Sequence, residues 1–128
     1  MTSRWIVTRT AISDDEFSRG KSMDSGIKSV LIELRGRFEE IYGQRLAEVI
    51  LYGSQARGEA AEGSDLDILI VLRGPVNPGE EIERCGEMTA EVSLRLGMVV
   101  SCVFMSEDDF SRRQGPFLRN VRREGVTV

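Results

Sequence analysis

A chain of 128 residues, 41% of them hydrophobic, has the size of one domain and the apolar material for one core. It contains no histidine, which excludes Ser-His-Asp and Cys-His catalysis and nearly all catalytic zinc sites, and leaves carboxylates, arginines, lysines and hydroxyls for polar chemistry. Its net charge of −4 argues against a chain built throughout to wrap nucleic acid.

The charge is uneven. Between positions 59 and 91 nine acids face two arginines, whereas between 110 and 128 five arginines face one glutamate. No apolar run is long enough to span a membrane, and the opening MTSRWIVTRT lacks a sustained apolar signal region. Cys85 and Cys102 stand alone, without metal-type spacing or a disulfide framework, so the expected compartment is a reducing cytoplasm.

Residues 1–22 are polar and turn-rich apart from Trp5-Ile6-Val7, which has strand propensity. They read as a tail, loose or weakly packed, with a docking arm anchored by Trp5 as the alternative; the domain proper is expected over 23–128. Ile27, Val30, Leu31, Leu34, Phe38 and Ile41 recur at helical spacing and predict a helix over 25–41, capped by Asp24 or Ser25 and followed by Gly43. Residues 46–52 read as a strand and 53–58 as a turn with a helical step through Gln55-Ala56-Arg57. Residues 64–72 form a second strand, apolar on both faces beyond its first residues, as a central strand covered on both sides would be. After a Gly-Pro-Asn loop, a helix is expected with Ile82, Cys85, Thr89, Val92 and Leu96 on its inner face, Met88 beside it and Gly97 at its end. Residues 98–105 read as a third strand. Ser106 to Asp109 looks like a capped helix start, a short helix follows Pro116, and Val126-Thr127-Val128 closes the chain. The order predicts an α/β fold: a small mixed sheet with helices packed on it.

The chemistry concentrates in ILYGSQARGEAAEGSDLDILIVL, residues 50–72. Alternate side chains of a strand share a face, so Asp65 and Asp67 point the same way. Two hard oxygen ligands side by side suit Mg²⁺ and fit poorly in an ordinary core. The Gly53-Ser54 step offers backbone N–H groups and a hydroxyl, which a phosphate needs. Arg57 has the guanidinium geometry for phosphate, though it serves equally well as a surface residue or the partner of an acid. The arginines at 112, 113, 119, 122 and 123 read first as a solvated helix face and second as a docking surface. With only Phe110 and Phe117 among them, a stacking platform for single-stranded nucleic acid is not expected.

Gly53-Ser54, ten intervening residues, then Asp65-Leu66-Asp67 resembles the motif of the polymerase-beta-like nucleotidyltransferase superfamily. The surrounding stretch is similar to its short microbial members, the minimal nucleotidyltransferases often found as the antitoxin of a two-gene pair. The resemblance is close over 46–72, looser toward the C-terminus, and silent about the first twenty or so residues. It implies the nucleotidyltransferase fold, Asp65 and Asp67 as catalytic, Mg²⁺-holding residues, and Gly53, Ser54 and Arg57 on the phosphates of a nucleoside triphosphate. It further implies transfer of a nucleoside monophosphate, AMP from ATP in the first instance, to a protein or small acceptor, with a small helical toxin as protein partner. Self-association is compatible with this reading; a membrane partner is not expected, and nucleic acid is not favoured.

One feature departs from the family pattern. Catalytic members carry a third carboxylate on the strand after the Asp pair, whereas residues 98–105 here, MVVSCVFM, hold no acid and one hydroxyl, Ser101. That favours an alternative in which the fold acts as an antitoxin by binding its partner, with weak or no catalysis.

Overall fold

The computed structural model describes residues 25–58 and 65–128. The expectation of a tail over 1–22 lies outside the described residues, as do Asp24 and Ser64.

Helix α1 spans Ser25–Tyr42, and its spaced apolar residues Val30, Leu31, Leu34, Phe38 and Tyr42 are buried. Gly43, with φ of +55°, opens a single 3-10 turn, Gly43–Arg45, that leads into strand β1, Leu46–Tyr52. A one-turn helix α2, Ser54–Arg57, follows and ends on Gly58 in the left-handed region. Strand β2 is Leu66–Leu72, helix α3 Pro78–Leu96 and strand β3 Val100–Ser106. The short helices α4, Glu107–Arg112, and α5, Pro116–Glu124, precede a two-residue strand β4, Val126–Thr127.

The four strands lie in the order β3-β2-β1-β4. β1 runs antiparallel to β2 and β4, while β2 runs parallel to β3 through the α3 crossover. The sheet is therefore mixed, as expected. Leu66, Ile68, Ile70 and Leu72 of β2 join Val49 and Leu51 in a core with α1 and α3. Leu69 and Val71 project to the other face, where Ile50, Phe110, Leu118 and Val121 form a smaller core with α4 and α5. β2 is thus central and covered on both sides, which accounts for its unbroken apolar sequence.

The caps follow the sequence signals. Asn77 accepts a hydrogen bond from the Glu80 amide at 3.3 Å to start α3, and Gly97, at φ of +69°, stops it. Ser106 caps α4 by accepting from the Asp109 amide at 3.0 Å.

The inner face of α3 is a correction. Ile82 is 54% exposed, and the buried line is Glu81, Cys85, Met88 and Val92. An acid takes the inward position because partners reach it there: the Tyr42 hydroxyl donates to Glu81 Oε1 at 2.7 Å and Arg84 Nε donates at 3.0 Å. Arg45 adds a third positive or polar neighbour at 3.7 Å. Burial alone would raise the carboxyl's pKa; these partners hold it below the usual range.

Candidate active site

The site is built where β1 ends and β2 and β3 begin. Asp67 is the second residue of β2 and stands directly across from Tyr52 on β1 and in register with Ser101 on β3. Three side chains from three neighbouring strands thereby line up. They lie on the face of Leu69 and Val71, the side of the sheet that carries α4 and α5. Asp65 lies one residue before the strand, exposed, and the two-residue spacing gives it the same side as Asp67.

Gly53 explains why the turn takes this sequence. Its φ is +80°, and a Cβ built on it would collide with the Asp67 carboxylate, Oδ2 first and then Cγ at 3.3 Å. A glycine there satisfies both the left-handed backbone and the close approach. Ser54 then opens α2, which is held by Arg57 N–H donating to the Gly53 carbonyl at 3.2 Å and by the fully buried Ala56. Asp67 of the Asp pair and Gly53 of the Gly-Ser turn, joined in sequence by one spaced motif, are therefore brought together.

Burial, and then the neighbouring Asp65, push the Asp67 pKa up, while the Arg57 charge pulls it down. Such a carboxylate is relieved by a cation. Tyr52 feels the same field: burial first, then Asp67 and Cys102, push its phenol up to about 12. Its ring meets Phe117 edge-on with centroids 5.2 Å apart.

Arg57 is placed beside the site but is also committed elsewhere. Its Nη1 donates to Glu124 Oε1, at the end of α5, at 2.7 Å. Sequence reading left an acidic partner open for Arg57 without finding this one; 67 positions separate the two residues, and no local pattern connects them.

No third carboxylate joins the Asp pair among the described residues. Among the described residues no group of three His, Cys, Asp or Glu side chains is arranged to hold a metal ion. Ser101 occupies the position in register with Asp67 where β3 would present such an acid. Asp67 of β2 and Asp65 just before it make a donor set of the kind Mg²⁺ takes, since that ion commonly uses one or two protein carboxylates and completes its shell with water and phosphate oxygens.

The basic C-terminal segment is largely tied to its own neighbours. Arg112 and Arg113 pair with Asp108 and Asp109, Arg122 donates to the carbonyls of Phe110 and Arg113, and Arg123 donates to Asn120. Phe110 is buried in the second core. No helix among the described residues is long and apolar enough to cross a membrane.

Known proteins resemble this chain in sequence and in fold. The family model for the nucleotidyltransferase domain matches residues 31–125. A Methanocaldococcus jannaschii protein named "Putative protein adenylyltransferase" is 39% identical over 85 residues, covering 66% of this chain and 79% of that one. A second protein of that name from the same organism is 30% identical over 88 residues, and the match spans 58% of its length. A crystal structure of a toxin-antitoxin with AMP-PNP superposes with a TM-score of 0.55 at 17% identity, covering 78% of this chain and 70% of that one, which shows a shared fold. The chain belongs to the nucleotidyltransferase domain family.

Proposed function

We propose that this protein transfers AMP from ATP to a hydroxyl on an acceptor outside the chain, a partner protein in first place, at the cleft between Gly53-Ser54 and Asp65-Asp67: the hydroxyl oxygen bonds to the α-phosphorus, the bond to the β-phosphate breaks, pyrophosphate leaves, and the hydroxyl proton passes to solvent. The observation that carries the reading is the packing of Asp67 directly against Gly53, with Asp65 on the same side. Asp65 and Asp67 would hold Mg²⁺, which when bound supplies neutralising charge at the phosphates. Gly53 lets the Asp67 carboxylate lie directly against the turn, the Ser54 hydroxyl donates to phosphate oxygens, and Arg57 contributes a planar set of donors at the cleft's edge. Adenylyl rather than another nucleotidyl transfer is favoured by the names of the two similar archaeal proteins. The described residues form one unit on a small sheet, with no separate acceptor domain among them. The family resemblance supports an antitoxin role.

One observation favours a second reading, an antitoxin that acts by binding with little catalysis. Ser101 stands beside Asp67 in place of an acid, and a neutral hydroxyl is a poor metal ligand and a poor base. The test is transfer from ATP labelled at the α-phosphate, by wild type and Ser101→Asp, with and without the product of the adjacent gene. Slow transfer by wild type, faster transfer by Ser101→Asp and labelling of the partner are expected. No transfer by either protein under any condition, with the partner still neutralised, would leave the binding reading standing.

A further inference from the structure

Helix α5 touches the candidate site at both ends. Its first turn sets Phe117 against Tyr52, the cross-strand neighbour of Asp67. Its last residue, Glu124, accepts from Arg57 at 2.7 Å. The Glu124 side chain is 16% exposed and that of Arg57 38%, so the pair is sheltered at its acid and more open at its guanidinium. The backbone next to Glu124 is closely packed. A Cβ at the next residue, Gly125, would come within 2.8 Å of Ile50 Cγ2, so the backbone leaving α5 lies directly on β1.

We infer that Glu124 is a positioning residue, one that fixes the Arg57 guanidinium so that its fork faces the phosphates of a nucleotide held between Gly53-Ser54 and the Asp pair. The inference rests on the nucleotidyl-transfer reading of that cleft. A guanidinium is a rigid plane with five N–H donors; a carboxylate on one edge sets the direction of the plane. An arginine left to itself would lose rotamer freedom on gripping phosphate, and an anchor that orders it beforehand removes that cost. Arg57 lies one turn after Gly53, its amide donating to the Gly53 carbonyl at 3.2 Å, which places it beside the cleft. By this route the C-terminal helix, remote in sequence, controls nucleotide affinity.

The experiment is a double-mutant cycle on Mg²⁺-dependent AMP-PNP binding, followed by calorimetry, with thermal unfolding alongside. Glu124→Ala and Arg57→Ala are each expected to weaken binding by roughly three- to tenfold, with the double variant no weaker than Arg57→Ala alone. Glu124→Gln keeps an acceptor oxygen, so its affinity should lie between wild type and Glu124→Ala; it also carries the cycle where Glu124→Ala fails to fold. Additive losses, or wild-type affinity in Glu124→Ala, would overturn the positioning role while leaving the cleft assignment intact. No AMP-PNP binding by wild type would overturn the cleft assignment itself and the positioning role with it.

Discussion

At the scale of single residues, Gly53 is the most constrained position in the site. Its backbone is left-handed, and the space a side chain needs is filled by the Asp67 carboxylate. Gly53→Ala should therefore cost about 1–3 kcal/mol in chemical denaturation, from backbone strain and displacement of the acid. It should also lose nucleotide binding, because Asp67 must move. Wild-type stability and binding in this variant would show that the turn is looser than described. Much of this was readable from sequence: the Gly-Ser and Asp-x-Asp pairs mark the cleft because the strand period fixes the direction of both acids. Glu124 was not readable, since its contact with Arg57 depends on how α5 folds back onto β1. Ser101 fell between the two. Its lone hydroxyl could be noticed in the strand, but only the parallel register with β2 sets it beside Asp67.

At the scale of elements, periodicity located the helices and strands to within a few residues, and it failed where polarity and burial part company. The apolar arc of α3 was drawn through Ile82, yet the helix turns Glu81 inward instead. Hydrophobic patterning assigns a glutamate to solvent; it carries no information about a tyrosine hydroxyl 39 positions upstream that satisfies the carboxylate. This contact joins α1 to α3 inside the larger core, with Cys85 Sγ 3.2 Å from the same hydroxyl. Removing the donor in Tyr42→Phe should cost about 1–3 kcal/mol, since it strips a buried acid of a hydrogen bond. The pH dependence has a definite sign. Because the folded carboxyl of Glu81 titrates below its ordinary value, its stabilisation is complete above the unfolded pKa of about 4.3 and is lost as pH falls through the lower folded value. Glu81→Gln should flatten that part of the acid limb in urea denaturation followed from pH 7 downward. An unchanged acid limb in Glu81→Gln would mean that the carboxylate is not ionised in the fold.

At the scale of the molecule, the sheet divides the work. The α1 and α3 face holds the larger core, and an ion-pair network of Glu33, Arg37, Glu91 and Arg95 laces the same two helices at the surface. Such exposed pairs add little stability individually, so that face is held chiefly by its apolar packing. The α4 and α5 face holds a smaller core and carries the candidate cleft at its edge. Part of the charge asymmetry seen in the sequence resolves into local pairing, with Arg112 and Arg113 each bridged to the aspartate one turn before it. What stays concentrated is the acidic pair at the start of β2, opposite a glycine turn. The most direct test of the account is a calorimetric titration of ATP into the protein, with and without Mg²⁺, for wild type, Asp65→Asn and Asp67→Asn. The account predicts binding that Mg²⁺ strengthens at least tenfold in wild type, roughly the scale of one charge-assisted contact, and no Mg²⁺ effect in either folded variant. Equal Mg²⁺-dependent binding in all three proteins would contradict it.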